Sequence, residues 1–164
     1  MIEAKSELTR LLAKMSDRSA VTAVIGLGYV GLPLAMEFCE AGFDVIGYDV
    51  SERLVARLMS GSSHVQDVPS EQLALHIASG RFVATTDEDA IGRADTISIA
   101  VPTPLAKTRD PDMSYVIASA DAIARHAHAG MLIVLESTTY PGTTRDVMQP
   151  RLERLGLVTG EDVF

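Results

Sequence analysis

The segment that most constrains this chain is an apolar run that breaks into glycines. Val21 to Ile25 reads V-T-A-V-I, and the turn Gly26-Leu-Gly-Tyr-Val-Gly31 follows at once. A short unbroken apolar run ending at glycine is how a strand buried on both faces reads. From Val30 to Ala41 apolar residues return at helical spacing (Val30, Leu34, Ala35, Phe38), and Gly42 supplies the stop. Strand, glycine turn and helix in this order predict a βα unit whose turn faces a phosphate-bearing ligand. Gly26 allows the tight exit from the strand, Gly28 leaves the backbone bare where a pyrophosphate approaches, and Gly31 lets the helix lie close to the sheet. The free N–H groups and partial positive charge of the helix start then hold the anion.

A glycine turn alone is weak evidence, because such turns arise without any ligand. Here Asp49 answers it from the end of a second strand, D-V-I-G-Y-D (44–49), 18 residues beyond Gly31. A carboxylate there accepts hydrogen bonds from the adenosine ribose hydroxyls and repels a 2′-phosphate. NAD is therefore the expected cofactor, rather than NADP. Arg53, close by in sequence, complicates that discrimination and belongs with the candidate cofactor contacts. The alternatives are a purely structural turn with a surface Asp, or a site for FAD or S-adenosylmethionine.

The rest of the chain keeps the same rhythm. Helical patterns at Glu52 to Met59, before Gly80, at Tyr115 to His128 and at Thr143 to Leu155 alternate with strand-like runs at 81–86, 96–102 and 131–137. Alternation of this kind predicts an α/β fold, a Rossmann-type doubly wound parallel sheet covered on both faces. Residues 161–164 read as the start of a sixth strand, so the chain is expected to end within it, as a fragment would. Residues 1–19 read as an amphipathic helix and lead-in, with Leu8, Leu11, Leu12 and Met15 on one stripe, and 20–164 as the binding domain. The 164 residues carry a formal charge of -8, which argues against nucleic-acid and anionic-membrane partners. Apolar stretches are strand-sized, so no membrane span is expected. One cysteine and no signal-peptide pattern point to a cytoplasmic protein.

In a parallel sheet the ligand lies beyond the carboxyl ends of the strands. Two further loops are expected at that edge: Val101-Pro-Thr-Pro104, and Glu136-Ser-Thr-Thr-Tyr-Pro-Gly-Thr143. Val101, Pro102 and Thr103 from the first, with Ser137 and Thr138 from the second, complete the candidate cofactor set. Thr103 and Thr138 stand where the nicotinamide half or a reacting group would come, unless they only cap the helices that follow.

At these loops the sequence resembles a known family. G-L-G-Y-V-G-L-P-L-A, V-P-T-P-L-A-K-T-R-D-P-D-M-S-Y and E-S-T-T-Y-P-G-T-T are together similar to the amino-terminal domain of the UDP-glucose/GDP-mannose dehydrogenases. The likeness runs from about Asp17 to the last residue, and the extension after V-P-T-P most resembles the branch acting on UDP-N-acetylhexosamines. The resemblance implies oxidation of a UDP-sugar's carbon-6 alcohol to a carboxylate with two NAD in succession. It implies capture of the intermediate aldehyde by a cysteine, and NAD contacts at Tyr29, Val30, Asp49, Thr103 and Thr138. Thr138 would also act catalytically, by placing water or an oxyanion near the reacting carbon.

Two departures qualify the match. Where the family has a basic residue five positions after the ribose aspartate, this chain has Leu54, with Arg53 one step earlier. The family's catalytic lysine, asparagine and cysteine fall beyond the last residue here, as do the parts that bind sugar and form the homo-oligomer expected of the full-length protein. Turnover by this chain alone is therefore not expected. Cys39, between Phe38 and Ala41 on a helix, reads as a packed core thiol. Lys107 and Arg109 read as a solvated loop, although either is able to reach a phosphate. Asp87, Glu88 and Asp89 read as a solvated helix start, and Ser70 and Ser114 as helix caps. His64, His76, His126 and His128 lack metal-ligand spacing. Two other readings remain: a stand-alone NAD-binding regulatory module, and the amino-terminal domain of a β-hydroxyacid dehydrogenase.

Overall fold

The structure, a computed structural model, describes residues 2–104 and 111–164. Among them are five strands: β1 Val21–Ile25, β2 Asp44–Tyr48, β3 Phe82–Thr85, β4 Thr96–Ile99 and β5 Leu132–Leu135. The α-helices are α1 Ile2–Asp17, α2 Gly31–Glu40, α3 Glu52–Met59, α4 Ser70–Ala78, α5 Ser114–His126 and α6 Gln149–Glu153. All strand pairs are parallel, in the order β3-β2-β1-β4-β5. The doubly wound α/β expectation holds.

Side-chain alternation divides the core between the two faces of the sheet. Ala23, Ile25, Ile97 and Ile99 pack with Ile123 of α5 and Met148 and Leu152 near the C-terminus. Val24, Val45 and Phe82 pack on the other face with Leu32 and Met36 of α2, Leu58 of α3 and Leu73 of α4. A polar pair crosses the centre, where the buried Thr96 hydroxyl donates to that of Thr22 at 3.1 Å. At the amino ends of the strands, Asp95 accepts from the Val21 N–H at 2.9 Å and from Lys14 of α1 at 2.5 Å. That bond, with buried Leu11, fastens the leading helix to the sheet.

Four local expectations change. Ser70 opens α4 without capping it; its hydroxyl accepts from the Ser63 N–H instead. At α5 the Asp112 carboxylate accepts the N–H of Ser114, so the serine hydroxyl is not the cap. The last helix begins as a wide π turn, Thr144–Met148, before α6. Pro150 has no N–H to donate back along the helix, which accounts for a change of winding at that place. The expected sixth strand takes the form of a short run along the β5 edge. There Gly130 N–H donates to Asp162, Phe164 N–H to Met131, and Ile133 N–H to Phe164.

Candidate functional site

The register sets the site. Tyr48, Ile25, Ile99 and Leu135 lie side by side across β2, β1, β4 and β5. The chain therefore leaves all four strands at one level, which delivers Gly26, Asp49, Val101 and Ser137 to a common edge. The switch point between β1 and β4 falls among them, the place where open α/β sheets bind ligands.

The glycines of the first turn are required for different reasons. Gly26 has φ +89°, and a Cβ there would stand 2.8 Å from the Ala100 carbonyl oxygen. At Gly31 a Cβ would overlap the Gly26 carbonyl. A Cβ at Gly28 meets nothing within 4 Å, so open space rather than packing leaves that backbone bare. Tyr29 and Val30 beside it are exposed. Helix α2 starts with no side-chain cap and no acidic residue in its first turn, which leaves its N-terminal dipole uncompensated by the protein. The turn suits an anionic pyrophosphate, even in a chain of net charge -8.

Asp49 does more than stand at a strand end. One carboxylate oxygen accepts from the Leu27 N–H at 2.9 Å and the other from Ser51 N–H at 2.9 Å. Leu27 is fully buried over Gly47, where a Cβ would come within 2.8 Å of the leucine side chain. Gly47 thus makes room for the Leu27 side chain, although no motif marks it. Leu54, at the family's basic position, packs against the core, while Arg53 is exposed at the start of α3.

The remaining loops are joined by Ser137, whose hydroxyl donates to the Val101 carbonyl at 2.8 Å. That proton is committed within the protein. Among the described residues the hydroxyls of Thr103 and Thr138 have no protein partner, and neither caps α5 or α6; Thr138 is exposed. Thr143 carries the local bond, donating to the Tyr140 carbonyl at 2.8 Å.

A cleft of about 360 Å³ opens at this edge. It brings together Gly26, Asp49, Val101 and Pro102, and adds residues not singled out as ligand contacts, among them Val50, Glu88, Tyr115 and Arg125. Gly28, Tyr29, Val30, Gly31, Arg53, Thr103, Ser137 and Thr138 lie outside its lining. Val50 was recoverable from its place after Asp49. Glu88 was expected to be solvated; instead it binds Arg125 and His126. Arg125 holds the Glu88 carboxyl below its usual range, and Glu88 raises Arg125 in turn. Another hollow, about 280 Å³ and lined by residues such as Ile133, Met148 and Phe164, runs along the β5 edge and contains none of the expected contacts.

Other residues stay outside the chemistry. Cys39 is buried and its desolvated thiol is pushed up to about 12, as befits a core thiol. His76 pairs with Glu40. His64 meets Tyr29 edge-on, with ring centroids 6.2 Å apart, and burial lowers its pKa. Among the described residues no three His, Cys, Asp or Glu side chains are grouped to hold a metal, and no helix is long and apolar enough to cross a membrane. Lys107 and Arg109 lie outside the described residues.

Residues 20–160 match the UDP-glucose/GDP-mannose dehydrogenase family, NAD binding domain. The chain belongs to this family. Its cofactor is NAD. Among similar proteins, the UDP-N-acetyl-D-mannosamine dehydrogenase of Pyrococcus horikoshii is 35% identical over 144 residues, 87% of this chain and 34% of its own. The UDP-N-acetyl-D-glucosamine 6-dehydrogenase of Pseudomonas aeruginosa is 32% identical over 143 residues, 87% of this chain and 33% of its own. Among solved structures, an NDP-N-acetyl-D-galactosaminuronic acid dehydrogenase from Methanosarcina mazei superposes with a TM-score of 0.83 at 32% identity, covering 96% of this chain and 35% of that one. The chain thus spans about a third of the length of the relatives it matches.

Proposed function

We propose that this chain is the cofactor-holding part of a nucleotide-sugar 6-dehydrogenase, which converts the carbon-6 alcohol of a UDP-sugar to a uronate. The observation that carries this reading is the shared edge: the glycine turn, Asp49 and the β4 and β5 loops emerge together beside one cleft. The N–H groups at Gly28, Tyr29 and Val30 would hold the pyrophosphate, and Asp49 the adenosine ribose. Val101, Pro102 and Thr103 would border the dinucleotide, and Ser137 would fix their position through the Val101 carbonyl. Thr138, exposed and without a protein partner among the described residues, would face the reacting carbon and orient water or an oxyanion. NAD supplies the hydride acceptor, two equivalents for a four-electron oxidation.

A UDP-N-acetylhexosamine is the favoured substrate, because relatives of this chain carry dehydrogenase names for such sugars. The family's nucleophilic cysteine has no counterpart in Cys39, whose thiol is buried and protonated at neutral pH. We therefore assign the chain binding without turnover, with substrate binding and homo-oligomer formation in the rest of a cytoplasmic full-length enzyme. Calorimetric titration with NAD and NADP, followed by a spectrophotometric assay with UDP-N-acetylglucosamine and UDP-N-acetylmannosamine, tests this. Saturable binding that favours NAD, with no NADH formed, is expected. Failure to bind NAD would overturn the site, and NADH production would overturn the absence of turnover.

A further inference from the structure

Glu88 and Arg125 enter the cleft from positions outside the motifs. Glu88 begins a 3-10 turn, Glu88–Arg93, and Arg125 lies in the last turn of α5. The guanidinium grips the carboxylate as a fork, Nε to Oε1 at 2.7 Å and one terminal nitrogen to Oε2 at 2.8 Å. His126 Nε2 stands 3.0 Å from the same Oε1. Both carboxylate oxygens are thereby engaged within the protein. The guanidinium is not spent: its other terminal nitrogen has no protein partner among the described residues, and the side chain is 57% exposed.

This arrangement has a chemical consequence. A free surface arginine loses rotamer entropy when it binds a ligand, whereas one already held by a bidentate carboxylate has lost much of it beforehand. Arg125 therefore presents a flat, pre-oriented cation with unused donors to a cleft that also holds Val50, Pro102 and Tyr115. Such a surface recognises a planar, electron-rich ring bearing in-plane lone pairs, as a purine does. Asp49, on the same cleft, marks the ribose end.

We propose that Arg125, oriented by Glu88, contacts the adenine base of bound NAD and strengthens binding of the adenosine half. This rests on the assignment of the cleft to adenosine made above. The competing role is that of a staple, joining the Glu88 turn to α5 with no ligand contact.

The experiment measures binding of NAD and ADP by calorimetry, and of nicotinamide mononucleotide by ligand-observed NMR, on the full chain. Wild type, Arg125→Ala, Glu88→Gln and Asp49→Ala are compared, with circular-dichroism melting of each. Arg125→Ala is expected to weaken NAD and ADP by about 3- to 10-fold, the range of a lost cation–π contact, and to leave the mononucleotide unchanged. Glu88→Gln should give a smaller loss confined to the same two ligands. Unchanged NAD and ADP binding in Arg125→Ala overturns the proposal, as does an equal loss for all three ligands with a lowered melting temperature, the mark of a staple. If Asp49→Ala weakens NAD while Arg125→Ala does not, this inference alone fails. If neither does, the assignment of the cleft fails with it.

Discussion

The Asp49 carboxylate accepts the backbone N–H of Leu27 at 2.9 Å, tying the end of β2 to the glycine turn after β1. The residue assigned to the ribose is thus also a brace for the turn assigned to the pyrophosphate. Two substitutions separate these roles. Asp49→Asn keeps one oxygen, enough to hold the Leu27 N–H while the Ser51 N–H at the exposed helix start turns to water, and removes the charge that repels a 2′-phosphate. It should keep the fold and narrow the preference for NAD over NADP. Asp49→Ala leaves the Leu27 N–H without its acceptor and should also cost about 1–3 kcal/mol of stability. Calorimetry with both dinucleotides and denaturant unfolding measure the two effects. An unchanged preference in both variants would remove Asp49 from the cofactor site.

Gly31 and Gly28 make a second contrast. Alanine at 31 drives its Cβ into the Gly26 carbonyl, a backbone atom that cannot swing aside, so a loss of about 2–4 kcal/mol is expected. Alanine at 28 has open space in this structure. Its fold should survive while NAD binding falls, because the methyl group occupies the approach of the pyrophosphate. Thermal melts and NAD titration of the two variants should therefore give opposite patterns.

Acid stability should depend on Glu88. Hydrogen bonds from Arg125 hold its carboxyl below the ordinary glutamate value in the folded chain, while in the unfolded chain it titrates near 4.3, roughly the free value. As pH falls past that value the unfolded state binds the extra proton first. The stabilisation is present above it and is lost as pH drops through the lowered folded value. Calorimetric melts from neutral pH downwards should show wild type losing its advantage over Glu88→Gln as the solution becomes acidic. Parallel curves for the two would count against the pairing.

Cys39 should be inert while the chain is folded. Its buried thiol, pushed up to about 12, carries almost no thiolate at neutral pH, and reagent access requires opening of the core. A chromogenic disulfide reagent should react slowly with native protein and at once in denaturant. Fast labelling under native conditions would contradict the burial.

Much of the fold was legible because its determinants are local. Apolar runs, helical spacing and glycine stops set strand and helix without reference to distant residues, and the handedness of βαβ connections restricts how they assemble. The less legible features depend on contacts across the chain. Glu88 was expected in water, but the sheet order brings α5 beside its turn, and Arg125, 37 positions away, takes it. Ser70 and Ser114 had the chemistry of caps, yet Ser63 and Asp112 entered into the bonding at those helix starts.

The sequence by itself determined the strand–glycine–helix unit, the position of Asp49 behind it and the family, since each is written in short continuous stretches. Tertiary structure decided what those groups touch. The parallel register aligned Tyr48, Ile25, Ile99 and Leu135, and so placed Asp49 on the Leu27 N–H, Ser137 on the Val101 carbonyl and Arg125 in the cleft. Linear spacing cannot specify those contacts, because they exist only once strands far apart in sequence lie side by side.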